Sequence, residues 1–484
     1  MHQTTQHPSV DNALNPRRWL AFTVLLVGAF LPPLDFFIVN VALPSIRSGL
    51  GADPAEMQLV ISAYAAVYAV FLITGGRLGD LYGRKRVFLA GLGGFGLSSM
   101  LCGLSTSPTM LIAGRVLQGL SAAVMAPQGL ASVQALFPER ERARALGMYG
   151  ATIGLAAIIA QALGGLLIAA NIGGLEWRVI FLINLPIVAA VFIGGIPLLP
   201  DTRSAHPARL DRIGVLLCAL TLGLLVVPLV KGPETGWPWW TCLMLILSPL
   251  FALAFWRYEQ ALARRGGTPL VNPDLSRAPG LMIGLVGVLF FYVVSAFFLT
   301  FSIYLQEAIG KSAFSAGLMF IPCGLGFLIG PLTTPVAIRW FGRWVPVMGM
   351  TLEVIGCVVL STVVAGAPAA HAPAPLGVVV ALWLIGFGQG WAVPTLVRAV
   401  IDRAPQGGSG MVAGIVNSAL QISAALGVAI IGSVFFSLAG STPTPASLAR
   451  AFSWAMLCVA ASLTVAALLA ARAGAGIQLK RCST

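Results

Sequence analysis

Long apolar runs, each near 20 residues and separated by short polar segments, constrain this chain more than any other feature. A bilayer-crossing helix needs about 20 mostly apolar residues. Fourteen such runs can be read, beginning roughly at residues 19, 56, 87, 109, 143, 178, 212, 237, 279, 313, 344, 375, 410 and 451. The chain has 484 residues, 58% of them hydrophobic, and a mean hydropathy of +0.91, more apolar surface than one water-surrounded core could bury. The expected fold class is therefore an all-α polytopic membrane protein with 14 transmembrane helices. No soluble domain of useful size remains between the runs, and no Walker-type phosphate loop occurs. Nucleotide hydrolysis is thus excluded, the chain is not read as an enzyme, and no catalytic residue is assigned.

Basic residues test this count, because cytoplasmic loops collect Lys and Arg. With the N-terminus inside, the inner segments gather clusters: Arg17 with Arg18, Arg77 with Arg84, Lys85 and Arg86, and Arg140 with Arg142 and Arg144. Further along they hold Arg203, Arg209, Arg212, Arg257, Arg264, Arg265, Arg277, Arg339, Arg343, Arg398, Arg403, Arg472, Lys480 and Arg481. The outer segments hold only Arg47, Arg178, Lys231, Lys311 and Arg450, and Arg115 alone lies within a span. A miscounted helix would scramble that alternation. The net charge of +13 reads as topology and not as a nucleic-acid footprint. Both termini are expected in the cytoplasm of a bacterial-type cell whose inner (plasma) membrane holds the protein.

Other signals have simpler readings. The start "RRWLAF" at Arg17 resembles a twin-arginine signal, but no small-residue cleavage site follows, so it is read as the anchor of span one. The seven cysteines show no paired spacing and no nearby histidine cluster, so neither a disulfide framework nor a metal site is implied, and no cofactor is expected. "GLGGFG" at Gly91 to Gly96 fits a dinucleotide pattern but follows no strand, and small-residue helix packing is the better reading.

The chain also repeats itself. Shifted by 259 positions, "LYGRKRV" (81–87) falls on "WFGRWVP" (340–346), pairing Gly83 with Gly342 and Arg84 with Arg343. Shifted by 263, span five falls on span thirteen, pairing Gly147 with Gly410 and Gly164 with Gly427. Two matches in the same order at nearly equal offsets imply related halves. The expected division is an N-terminal six-helix bundle over 1–200, an inserted two-helix linker over 201–278, and a C-terminal six-helix bundle over 279–484.

These stretches resemble the major facilitator superfamily, and within it the fourteen-span drug:proton antiporter branch. "GRLGDLYGRKRV" (76–87) is similar to the superfamily's loop two-three motif through Gly76, Leu78, Asp80, Gly83, Arg84 and Lys85. "LDFFIVNVALPSI" (34–46) resembles the branch's span-one motif, and "AGRVLQGLSAA" (113–123) its span-four motif through Arg115, Gln118 and Gly119. The span-five antiporter motif, which usually ends G-P-x-x-G-G, is represented by "AQALGG": Gly164 and Gly165 are kept, the proline is absent, and Gln161 offers a polar interhelical contact instead. The resemblance implies a proton-driven exporter of amphipathic, cationic drugs or toxic small molecules, working by alternating access as a monomer, with protons, cargo and lipid as its partners. It also implies a conformational latch at Gly76, Asp80, Gly83, Arg84 and Lys85, where Asp80 binds across the interface between halves when the cavity faces outward. Export or import of an endogenous metabolite, or a non-transporting receptor or scaffold, are the alternative readings.

The residues themselves point the same way. An ionisable group inside a span is costly and usually serves a cavity. Asp35 lies roughly 12 Å below the outer end of span one and Arg115 roughly 9 Å below that of span four, at a rise of ~1.5 Å per residue, so the two share a depth. One reading makes Asp35 the proton carrier, switched by the approach of Arg115; the other is a static buried ion pair that locks the fold. Pro32 and Pro33 interrupt the helix just before Asp35, which suits either a binding cavity or a simple kink. Glu353, about nine residues into span eleven, is the second candidate for proton coupling, against a glutamate merely paired with a neighbouring helix. Tyr64, Tyr68, Gln128, Tyr292, Trp391, Asn417 and Gln421 are the candidate substrate lining, since aromatic faces suit cations and apolar drugs alike.

Overall fold

The computed structural model describes residues 17–202, 210–271, 273, 280–366, 375–404, 409–440 and 442–475. Arg203, Arg209, Arg277, Lys480 and Arg481 of the charge pattern lie outside the described residues.

The chain folds as helices throughout its described length. In order they are α1 (Arg18–Leu50), α2 (Pro54–Tyr82), α3 (Arg84–Gly103), α4 (Pro108–Leu136), α5 (Glu139–Ala170), α6 (Val179–Leu182), α7 (Asn184–Leu198), α8 (Arg212–Thr235) and α9 (Trp239–Arg264). There follow α10 (Leu281–Phe291), α11 (Ala296–Ile303), α12 (Ala313–Met319), α13 (Ile321–Phe341), α14 (Val345–Ala365), α15 (Pro375–Ile401), α16 (Ser409–Ala439) and α17 (Pro445–Ala475). Among the described residues thirteen helical stretches are long and apolar enough to cross a membrane. The longest, Ala313–Ala365, has 53 residues, roughly 80 Å at ~1.5 Å per residue and more than twice a bilayer core of ~30 Å. It turns at Gly342, where φ is +53°, and α13 and α14 on either side have 21 residues each and both pack on α15. Taken as two crossings, it brings the total to the expected fourteen.

Local sequence explains where the crossings start and stop. Asp53 caps α2 by accepting from the Glu56 amide at 2.6 Å, while Glu56 Oε2 accepts from the Asp53 amide at 2.9 Å, with Pro54 in the first turn. Ser107 caps α4 in the same way, accepting from the Met110 amide at 3.2 Å ahead of Pro108. Gly83, the repeat partner of Gly342, ends α2 with φ +99°, a conformation open to glycine and strained for other residues. The GLGGFG stretch lies within α3: a Cβ on Gly91 would crowd the backbone at Met125 and Ser121 of α4, and one on Gly96 would press on Val188 of α7. These glycines bring helices together, as expected.

The helix ends that carry Arg18, Arg84, Lys85, Arg86, Arg140, Arg144, Arg339 and Arg398 lie on one side, here termed the basic face; the opposite ends form the far face. On the far face α1 and the segment after α11 are tied together. Arg47 Nη1 bonds both oxygens of Glu307 at 3.3 Å, and Gln306 Nε2 donates to the Val41 carbonyl at 2.9 Å. Gly165 of α5 abuts the backbone of Ala313, and Gly317 of α12 abuts that of Gln161, contacts that leave no room for a side chain. On this side Gln58 of α2 also accepts from Ser433 of α16 at 3.3 Å.

Candidate functional site

Two features define the site: a central cavity and a buried polar network behind its wall. The cavity has a volume of about 840 Å3 and is lined from α1, α2, α4, α5, α11, α13, α15 and α16 together with Tyr292. It starts at the depth of Phe37 and Gln161, beneath the far-face contacts, and runs toward the basic face as far as Gly147, Leu332 and Val397. Its size matches pockets that hold drug-sized molecules, ~300–1,000 Å3. Tyr64, Tyr68, Tyr149 and Tyr292 share the wall with phenylalanines including Phe36, Phe298 and Phe327, and with the amides Gln161, Gln389, Asn417 and Gln421. No Asp, Glu, Lys, Arg or His is among the described lining residues.

Tyr292 of the wall opens a 3-10 turn over Tyr292–Ser295, between α10 and α11. Such a mid-span change is a common sign of function. Pro32 and Pro33 face the cavity from within α1, which runs as one helix from Arg18 to Leu50.

Behind that wall, Asp35 and Arg115 meet, both 0% exposed. Arg115 Nη1 donates to Asp35 Oδ2 and, at 2.7 Å, to Gln118 Oε1, while its Nε donates to the Val60 carbonyl at 2.9 Å. Asp35 Oδ1 accepts from Gln118 Nε2 at 2.8 Å and from Asn184 Nδ2 at 2.9 Å. Both amides also donate to Ser99 Oγ, at 2.8 and 3.2 Å. Three helices, α1, α4 and α7, thus meet at one carboxylate, and Ser99 of α3 joins the two amides behind it. The ring of Tyr64 stands over the guanidinium, 4.3 Å from Cζ to the ring centroid, and its hydroxyl donates to the Pro32 carbonyl at 3.3 Å. Because Tyr64 also lines the cavity, one aromatic ring separates the ion pair from the space where cargo would sit.

Glu353 of α14 is also 0% exposed, packed against Gly388 of α15, and among the described residues neither of its carboxylate oxygens has a hydrogen-bond partner. The alternative of a glutamate paired with a neighbouring helix is not what the structure places there. An ionised carboxylate in such a position is uncompensated, at a cost of several kcal/mol.

Of the seven lining candidates, Tyr64, Tyr68, Tyr292, Asn417 and Gln421 do face the cavity. Gln128 and Trp391 are not among the lining residues. Gln128 Nε2 donates to the Gly75 carbonyl at 2.6 Å and its side chain fills the space left by Gly79, joining α4 to α2. Trp391 Nε1 donates to Thr333 Oγ1 at 2.8 Å, joining α15 to α13. Gln161 both lines the cavity and makes the interhelical bond expected of it, to the Phe37 carbonyl at 3.0 Å, and Gly164 packs on Ile38 and Val41 of α1. Sequence reading missed Asn184, Ser99, Tyr149 and Gln389.

At the loop motif Asp80 pairs with Arg84 at 3.4 Å. Arg84 also donates to the Ala131 carbonyl of α4 at 3.2 Å, and Lys85 to the Ile196 carbonyl of α7 at 2.5 Å. Gly76 faces Pro127 of α4. Arg77 reaches further, donating to the carbonyls of Thr268 at 3.0 Å and of Pro269, in the segment that follows α9.

A many-helix membrane chain with a drug-sized central cavity and a buried ion pair at its wall is a membrane transport protein and not an enzyme. It belongs to the Major Facilitator Superfamily, whose family model matches residues 25–428. Over 433 residues the chain is 35% identical to the probable actinorhodin transporter of Streptomyces coelicolor, covering 88% of this chain and 74% of that protein. It is also 35% identical to the puromycin resistance protein pur8 of Streptomyces alboniger, covering 87% and 82%. With the cephamycin export protein CmcT of Amycolatopsis lactamdurans the identity is 33%, over 93% and 91%. Among solved structures, the POT family transporter PepTSo superposes with a TM-score of 0.70 at 16% identity, covering 96% of this chain and 99% of that one, a likeness of fold. With bacterial relatives of this kind, the protein is a multi-span integral protein of the plasma membrane that carries small molecules.

Proposed function

We propose that the protein exports amphipathic small molecules from the cell in exchange for protons, by alternating access of the central cavity. The observation that carries this reading is the Asp35–Arg115 pair, a costly intramembrane charge pair held by three helices one ring away from the cavity. A scaffold has no need of it. Asp35 is the carrier of the coupled proton, and Arg115 supplies the charge that exchanges with it. Glu353 is the second proton site, its carboxyl buried without a counter-charge. The relatives' printed roles in export and resistance support the outward direction.

The two six-helix halves, 1–200 and 279–484, rock about the cavity, with the inserted pair 201–278 outside that motion and one chain as the working unit. Gly83 and Gly342, paired by the repeat, both end a helix with positive φ, which is compatible with this division. The basic face is cytoplasmic, which puts both termini inside. In the geometry described, the cavity then faces the cytoplasm, and Asp80 is released to Arg84; its partner across the halves is met when the cavity turns outward. Cationic cargo, the expectation from the sequence, finds aromatic faces in the wall but no lining carboxylate.

Vesicles of the purified protein with an imposed pH gradient test the reading. Counterflow of cargo that follows the gradient is expected. Cargo movement indifferent to it would remove the proton from the mechanism.

A further inference from the structure

The charge of the cargo is legible in what the cavity wall lacks. Asp35 is already neutralised by Arg115 and lies behind Tyr64, and Glu353 is fully buried outside the lining. The wall instead offers neutral donors and acceptors. Tyr68, Tyr292, Gln389 and Gln421 line the cavity, and among the described residues their side chains make no hydrogen bond to the protein. Gln161 spends its amide nitrogen on Phe37, while its Oε1 is buried without a partner. Such groups match hydroxyl and carbonyl oxygens, and the tyrosine and phenylalanine faces between them match flat rings.

An ion of either sign entering this space surrenders its hydration shell without meeting an opposite charge. The attraction of an aromatic face for a cation recovers only part of that loss. The route in from the basic face adds to the bias. Arg144, exposed and with its guanidinium 5.7 Å over the Trp19 ring and near Glu141, lies one turn below Gly147 on α5, and the exposed Arg339 lies two turns below Leu332 on the same face of α13. Positive charge on two lining helices beneath the cavity repels a cation before it arrives.

We infer that this cavity takes an uncharged, flat polycyclic aromatic molecule bearing hydroxyl and carbonyl groups, and discriminates against permanent cations. The inference rests on the transport reading for its biological meaning but not for its test, which is binding. Full-length protein in detergent is titrated with 1,8-dihydroxyanthraquinone and with a three-ring anthracene carrying a trimethylammonium group, following tryptophan fluorescence. The neutral probe is expected to bind at least ~10-fold more tightly. Arg144→Glu with Arg339→Glu narrows that ratio by favouring the cation. Tyr68→Phe with Tyr292→Phe keeps the rings, removes two hydroxyls, weakens the neutral probe and leaves the cation unchanged. A cation bound as tightly as the neutral probe, or tyrosine variants that weaken both probes equally or neither, overturns the inference. Tight binding of the neutral probe with no gradient-driven movement in vesicles would instead overturn the transport reading and leave this one standing.

Discussion

Replacing Asp35 and Arg115 singly and together separates a proton carrier from a structural ion pair. Asp35→Asn keeps an oxygen for Gln118 and Asn184 but leaves the Arg115 guanidinium 0% exposed with no counter-charge. Removing one partner of a buried pair costs about 3–5 kcal/mol, enough to lower the melting temperature of the purified protein visibly. Arg115→Gln alone strands the carboxylate in the same way. In the double variant Asp35→Asn with Arg115→Gln both charges are gone, and neutral amides replace them within a site already built of amides and Ser99. Replacing a whole buried pair is close to neutral in many proteins, so the double variant is expected to recover most of the lost stability. It does not recover coupling. Melting curves give the stability cycle, and vesicles with an imposed pH gradient give the coupling. A double variant that is stable and still drives cargo with the gradient would refute the carrier role and leave a structural ion pair.

Further outcomes follow from other parts of the molecule. Glu353→Gln removes a buried, unpartnered carboxyl and is expected to leave the melting temperature unchanged or higher while lowering the proton:cargo ratio; an unchanged ratio excludes Glu353 from coupling. Arg47→Ala breaks the far-face tie to Glu307, a partly exposed pair worth about 0.2–1 kcal/mol, so a thiol probe placed near Val41 should label up to ~5-fold faster as the far face opens more often. Asp80→Asn is expected to insert normally and transport slowly; full activity would make the motif a topological anchor alone. Exchange of two protons, one for each site, against an uncharged cargo moves two charges, so a valinomycin-set potential of ~100 mV would contribute ~4.6 kcal/mol and should accelerate transport, whereas indifference to potential would contradict that charge balance.

The membrane crossings are legible in the sequence because each is an autonomous apolar run whose caps lie in plain view, such as Asp53-Pro54 and Ser107-Pro108. The shared depth of Asp35 and Arg115 was legible too, since charge within a span is rare enough to draw attention and rise per residue is fixed. What surrounds them was not. Asn184, Gln118 and Ser99 are neutral residues of a kind found throughout the spans, and only helix packing brings the two amides to Asp35 and Ser99 to the amides. Facing direction was hidden for the same reason. Each residue turns a helix by about 100°, so Tyr64 and Gln128 look alike as mid-span polar residues until the packing of α2 on α4 points one at the cavity and the other at the Gly75 carbonyl. The loop motif was conspicuous for its charge, but the reach of Arg77 to Thr268 depends on where the segment after α9 lies, which local pattern does not encode.

Proton movement evoked by cargo, in sealed vesicles without an imposed gradient, tests the central claim most directly. A pH dye trapped in vesicles of the purified protein reports the lumen while cargo is added outside. Cargo entering is predicted to drive protons out, making the lumen alkaline, with the change abolished by Asp35→Asn together with Arg115→Gln. Cargo that accumulates while the lumen pH stays constant would contradict proton exchange.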